Sequence, residues 1–133
     1  MLKGLQTGFG APVDPLTLRA VKGFGYAMVR IEAQDCTAEE AGRLAADALE
    51  ADLTPLVIVR QPDQTHRLPS GSHVELLNEP DLNGPSPLEY RQLADVFALS
   101  VRESFPLWGP TISNLNPRGF AYLRAVWPLP DRF

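Results

Sequence analysis

The residues best placed to do chemistry lie in one run, HVELLNEPDLNG, from His73 to Gly84. The run carries two carboxylates, Glu75 and Glu79, with the amide of Asn78 directly before the second. A carboxyl group tuned near the working pH can act as a general acid or base. Val74, Leu76 and Leu77 suit a strand and Pro80 ends one, so Glu79 falls at or just beyond a strand's C-terminal tip. Two readings stand at this point: Glu79 is a catalytic acid, or it is a turn residue.

Other charged and polar residues compete for a role. Asp35, Asp63 and Asp81 all read as loop residues, and Asp81, next to Pro80, reads as the cap of the following turn. Glu32 and Glu75 lie within strands. With Arg30 and Arg60 they can form a charged inner layer, because a buried carboxylate needs a partner. Ion pairing is therefore the first reading of Glu75, while Arg30 divides between site brace and structural partner. Asn114, at a strand tip, can touch a ligand or cap a loop. Trp108 and Trp127 read as core residues, Trp127 through its helical spacing from Leu123. His66 and His73 fall in loop-like sequence and read as surface residues. The lone Cys36 excludes an internal disulfide framework, no Cys/His cluster has zinc-site spacing, and neither metal nor cofactor is expected.

These residues need elements to hold them. Leu2–Thr7 reads as a strand ending in a glycine-rich turn, and Asp14-Pro15 as the cap and first position of a helix to about Lys22. A second strand spans Tyr26–Glu32. Thr37–Asp52 is the clearest helix: Thr37 and Glu40 form a capping box, and Ala41, Leu44, Ala45, Ala48 and Leu49 make one apolar face. Thr54–Arg60 is apolar without alternation, as in a strand covered on both faces. A short turn or loop follows, then a fourth strand through Glu79. Ser86 and Glu89 make a second capping box for a helix to about Ser104, with Tyr90, Leu93, Ala94, Phe97 and Val101 on one face. Leu107–Ser113 is a fifth strand, and Asn116-Pro117 opens a last helix carrying Phe120, Leu123 and Trp127.

Alternating strands and helices predict an α/β fold with a parallel sheet. The strand ends recur every 27 residues or so, close to the ~31 per unit of an eightfold barrel, and an open doubly wound sheet fits the order too. TGFGAP lacks the third glycine of a dinucleotide fingerprint. The 133 residues suffice for one domain, and 13 prolines at segment boundaries punctuate short elements rather than a disordered tail. A net charge of -4 without a basic patch argues against nucleic acid as a partner. No apolar stretch reaches the roughly 20 residues that span a bilayer, so no membrane partner is expected. No signal peptide is visible, which leaves the cytoplasm as the default compartment.

ELLNEPDLNG resembles the fourth-strand motif of the retaining glycoside hydrolases of clan A, which are (β/α)8 barrels. The resemblance implies that Glu79 is the general acid/base and that Asn78 binds the sugar 2-hydroxyl. MVRI resembles the second-strand end in which an arginine braces the catalytic carboxylates, here Arg30. Glu75 resembles the first glutamate of a Trp-Glu-x-x-Asn-Glu-Pro variant. GPTISN resembles the fifth strand and AVWPLPDRF the approach to the sixth; in such a site the ligand that Asn114 can touch from its strand tip is the sugar. The implied fold is a partial barrel over residues 1–133, about five of eight units. The implied nucleophile, a glutamate ending the seventh strand, has no counterpart in these residues. Retention needs two carboxyl groups about 5–5.5 Å apart.

The expected function is thus a retaining glycoside hydrolase, or part of one, acting on a carbohydrate. Open sheet edges would invite a second chain or self-association to complete the barrel. The alternative is a non-catalytic carbohydrate-binding or assembly module on the same half-barrel, and an unrelated open α/β domain is a third possibility.

Overall fold

Five short runs of strand-forming residues pair in chain order. The structure, a computed structural model, describes residues 4–6, 14–113 and 115–133. Strand β1 (Gly4–Gln6) leads to helix α1 (Pro15–Gly23), β2 (Met28–Glu32), α2 (Ala38–Glu50) and β3 (Thr54–Val59). A 3₁₀ turn at Pro62–Thr65 stands in place of a third long helix. Then come β4 (His73–Leu76), the short helix α3 (Pro80–Asn83), α4 (Pro87–Ser100), β5 (Leu107–Trp108) and α5 (Pro117–Val126). All neighbouring strands are parallel, in the order β1-β2-β3-β4-β5. Among the described strands the order never turns back, so there is no switch-point crevice of the doubly wound kind.

The helices start where the sequence supplies caps. Asp14 accepts from the Thr17 N–H at 3.0 Å and Asn116 from the Gly119 N–H at 3.0 Å. Thr37 with Glu40, and Ser86 with Glu89, close reciprocal capping boxes. Alternation then sorts the strand residues by face. Val29, Ile31, Val57, Val59, Val74 and Leu76 meet Leu18, Ala41, Ala45, Tyr90 and Phe97 in the apolar core. Met28, Arg30, Glu32, Leu56, Ile58 and Glu75 take the opposite face, and most of them are buried as well. β3 is therefore covered on both sides, as its unbroken apolar run predicts.

Several boundaries differ from expectation, each for a local reason. The fourth strand ends at Leu76 rather than Glu79, because Leu77 is left-handed. The fifth shrinks to Leu107–Trp108, since Pro110 offers no N–H to a ladder, and pairing returns only as one bridge between Asn78 and Thr111. α4 stops at Ser100, not Ser104, because Val101 turns extended. Arg132 then donates to the carbonyls of Ala98, Val101 and Arg102 at 2.6–2.7 Å, satisfying acceptors left at the helix end. The two tryptophans are not core: Trp127 is 63% exposed and Trp108 43%. α5 buries Gly119 and Val126 instead and leaves Phe120 largely outside. The expected start of the first strand, its glycine-rich turn and Asn114 lie outside the described residues.

Candidate functional site

A change of phase at the tip of β4 builds the site. Along β4, Glu75 faces away from the apolar core while Val74 and Leu76 face into it. Continued alternation would turn Leu77 out beside Glu75 and send Asn78 inward. Leu77 instead takes φ +61°, and its side chain joins Leu76 in the core. A bulky residue there is a true backbone outlier. The period is thereby reset by one residue, Asn78 re-pairs with Thr111, and its side chain emerges on the face of Glu75.

Glu75 is 1% exposed and fully engaged. The Arg30 Nε donates to Oε2 at 2.7 Å and its Nη2 to Oε1 at 2.5 Å, a forked pair. The Thr111 hydroxyl donates to Oε1 as well. Nη2 of Arg30 also donates to Asn78 Oδ1 at 2.9 Å. Arginine has no acceptor, so this contact fixes the amide's orientation and leaves its NH₂ facing elsewhere. The Asn78 backbone N–H donates to Gln34 Oε1 at 3.1 Å. β2, β4 and the segment after β5 thus meet at one buried ion pair.

Glu79 stands one residue beyond this network. It is left-handed, φ +45° and ψ +54°, at the start of α3, and its side chain does not cap that helix. Among the described residues its carboxylate has no hydrogen bond or ion pair. It lines a cleft of about 600 Å³, within the range of small-ligand sites. Gln34, Arg60, Asn78 and Asn83 supply the polar wall of that cleft and Leu82 and Leu93 part of the apolar one.

α3 itself is firmly tied. Asp81 is buried and accepts from the Ser113 N–H at 2.9 Å and the Ser113 hydroxyl at 3.0 Å. This corrects the reading of Asp81 as a turn cap: it is a strut to the segment after β5. Gly84 closes the turn so tightly that a Cβ there would sit 2.6 Å from the Pro80 carbonyl oxygen. The Tyr122 hydroxyl donates to Pro85 O at 2.9 Å, and the buried Tyr90 hydroxyl donates to Leu76 O at 2.9 Å. Burial pushes the Tyr122 phenol up to about 12 and raises Tyr90 too, so both stay neutral donors.

The opposite wall hangs on Gln64. Its Oε1 accepts from the backbone N–H groups of Arg60 and Gln61 at 2.7 and 3.0 Å. Its Nε2 donates to the carbonyls of Ala33, Gln34 and Cys36 at 2.8–3.0 Å. One side-chain amide therefore locks the segments that follow β2 and β3 together.

The remaining sequence candidates separate. Arg60 does not join a buried layer; it is exposed and pairs with Asp35 at 3.2 Å. Glu32 is 4% exposed, with Oε1 accepting from the Gln34 N–H at 3.2 Å and Oε2 without a partner among the described residues. His66 and Asp63 are exposed. Burial raises the Cys36 thiol, which disfavours a reactive thiolate. Among the described residues no group of three metal-ligating side chains forms and no helix is long and apolar enough to cross a membrane. Gln34, Gln64, Thr111 and Ser113 went unread in the sequence. Only the last two carried a signal, as small hydroxyl residues in the expected fifth strand. No family model, curated protein or solved structure matches the chain.

Proposed function

We propose that this chain carries the acid/base side of a retaining glycoside-hydrolase site, on a partial (β/α) barrel of about five units. The observation that carries the reading is the chain Glu75–Arg30–Asn78, which ends beside a free, left-handed Glu79 opening on a cleft. Left-handed non-glycine residues cluster where function holds them in place. The strand order without reversal and the site's location at the C-terminal end of the sheet agree with a barrel's layout.

In this reading Glu79 protonates the leaving oxygen and then, as carboxylate, takes a proton from the attacking water. Asn78, its carbonyl oxygen held by Arg30, turns its NH₂ toward a sugar hydroxyl. Arg30 and Glu75 position Asn78 and touch no substrate. The nucleophile would be a carboxylate from another strand or a second chain, about 5–5.5 Å from Glu79.

One observation favours a second reading, a non-catalytic sugar-binding or assembly module. Glu79 is the only carboxylate among the described residues that line the cleft. A panel of aryl glycosides separates the two. Turnover that disappears in Glu79→Gln supports the enzyme. Sugar binding without turnover selects the module. Neither binding nor turnover removes the sugar reading altogether.

A further inference from the structure

The cleft's charge points to the class of sugar. Resting on the carbohydrate-site reading above, we infer that the cleft takes an anionic sugar, one bearing a carboxylate or a sulfate ester, and that Arg60 receives the anionic group. Arg60 is the only cationic side chain among the described residues lining the cleft. In a chain of net charge -4, a lone cation on a cleft wall is the element that can hold an anion there.

Arg60 is also available. Its partner Asp35 is 89% exposed, and the pair, at 3.2 Å, is of the surface kind that contributes little. An incoming carboxylate or sulfate oxygen can replace Asp35 with two parallel N–H···O bonds, which a guanidinium offers and an ammonium does not. The wall beneath is fixed before any ligand arrives. Gln64 holds the backbone N–H groups of Arg60 and Gln61, and the Asn78 backbone holds the side chain of Gln34. Preorganised supports of this type lower the cost of ordering on binding. Glu79, which would repel a sugar's anionic group, lines the same cleft, so the substituent and the scissile bond must lie apart, with the substituent toward β3.

The experiment titrates the 133-residue chain with methyl glucuronide, methyl glucoside 6-sulfate and neutral methyl glucoside. It follows the backbone amide resonances of Arg60 and Gln61. The expected result is saturable binding of one or both anionic sugars, at least tenfold tighter than the neutral one; which of them binds separates carboxylate from sulfate. Arg60→Gln should remove that preference. Asp35→Asn, which deletes the internal competitor, should tighten anionic binding by about two- to fivefold, an effect a merely structural Arg60 would not produce. Equal binding of neutral and anionic sugars, or anionic binding indifferent to Arg60→Gln, overturns the inference and leaves the sugar site standing. No binding of any of the three also overturns it. The glycosidase reading is judged separately by Glu79-dependent turnover of aryl glycosides.

Discussion

Where β3 leaves the sheet, the chain runs on into a 3₁₀ turn and is fastened to the segment after β2 mainly by the neutral amide of Gln64, beside the exposed Arg60–Asp35 pair that contributes little. Where β4 leaves it, Leu77 and Glu79 are both left-handed and the anchor is the Arg30–Glu75 ion pair. The two rims face each other across the same cleft. Neutral hydrogen bonds suffice to hold a wall in place. The strained tip, which turns Asn78 outward and leaves Glu79 without a partner among the described residues, is anchored instead by a buried charge pair, which tolerates few alternative arrangements.

Breaking the charged anchor should have the largest effect. Arg30→Met leaves Glu75 buried without its counter-charge and should lower unfolding stability by about 3–5 kcal/mol in urea titration. The double variant Arg30→Met/Glu75→Leu should regain most of that loss, since a well-packed apolar pair replaces a buried ion pair at small cost. Gln64→Ala should cost less, about 2–3 kcal/mol in the same titration, because the hydrogen bonds it removes are individually modest and water can enter that exposed rim.

The left-handed tip gives a change of opposite sign. Glu79 at φ +45° costs backbone energy that glycine does not. Glu79→Gly should therefore raise stability by about 0.5–1 kcal/mol, with Glu79→Ala, which keeps the Cβ, as the control that shows no gain. A stability gain at the proposed acid would mark strain retained for function.

The smallest effect is a pH dependence. The His73 Nδ1 accepts from the Trp108 indole N–H at 3.1 Å, and burial lowers the imidazole below its ordinary value. Below the unfolded-state value of about 6.5, the unfolded chain takes up a proton that the folded one refuses, so stability falls as pH drops through that window. His73→Gln should flatten this slope. Emission from Trp108, followed in a Trp127→Phe background, should hold steady through that window and shift only at lower pH, where the folded imidazole itself takes a proton and the indole loses its acceptor.

Much of this was legible in the sequence, for physical reasons that also explain the rest. Capping boxes at Thr37 and Ser86, the unbroken apolar β3 and the alanine face of α2 depend on near neighbours in the chain, and they stand where expected. A charged layer of Glu32 and Glu75 with Arg30 and Arg60 followed from the need of a buried carboxylate for a partner, but only Arg30 and Glu75 pair in it. The phase reset at Leu77 did not follow in this way, because nothing in the pair Leu76-Leu77 distinguishes a strand continuing from a strand breaking. Strict alternation would have placed Glu79, not Asn78, on the face of Glu75. Asp81 and the Nε2 of Gln64 act on partners some thirty residues away, beyond any local pattern, although Oε1 of Gln64 closes a local capping box. Trp108 and Trp127 look like core by type, yet one ends a two-residue edge strand and the other follows the last turn of α5.

If Glu79 supplies the proton, as proposed, the cost of removing it depends on the leaving group. Dinitrophenolate leaves a glycoside as a stable anion without help, whereas a methyl glycoside's oxygen needs a proton to leave as methanol. Glu79→Gln should slow the methyl glycoside by about 10²–10⁴-fold and the dinitrophenyl glycoside far less at the glycosylation step. An equal loss on both substrates, or no loss on either, would contradict it.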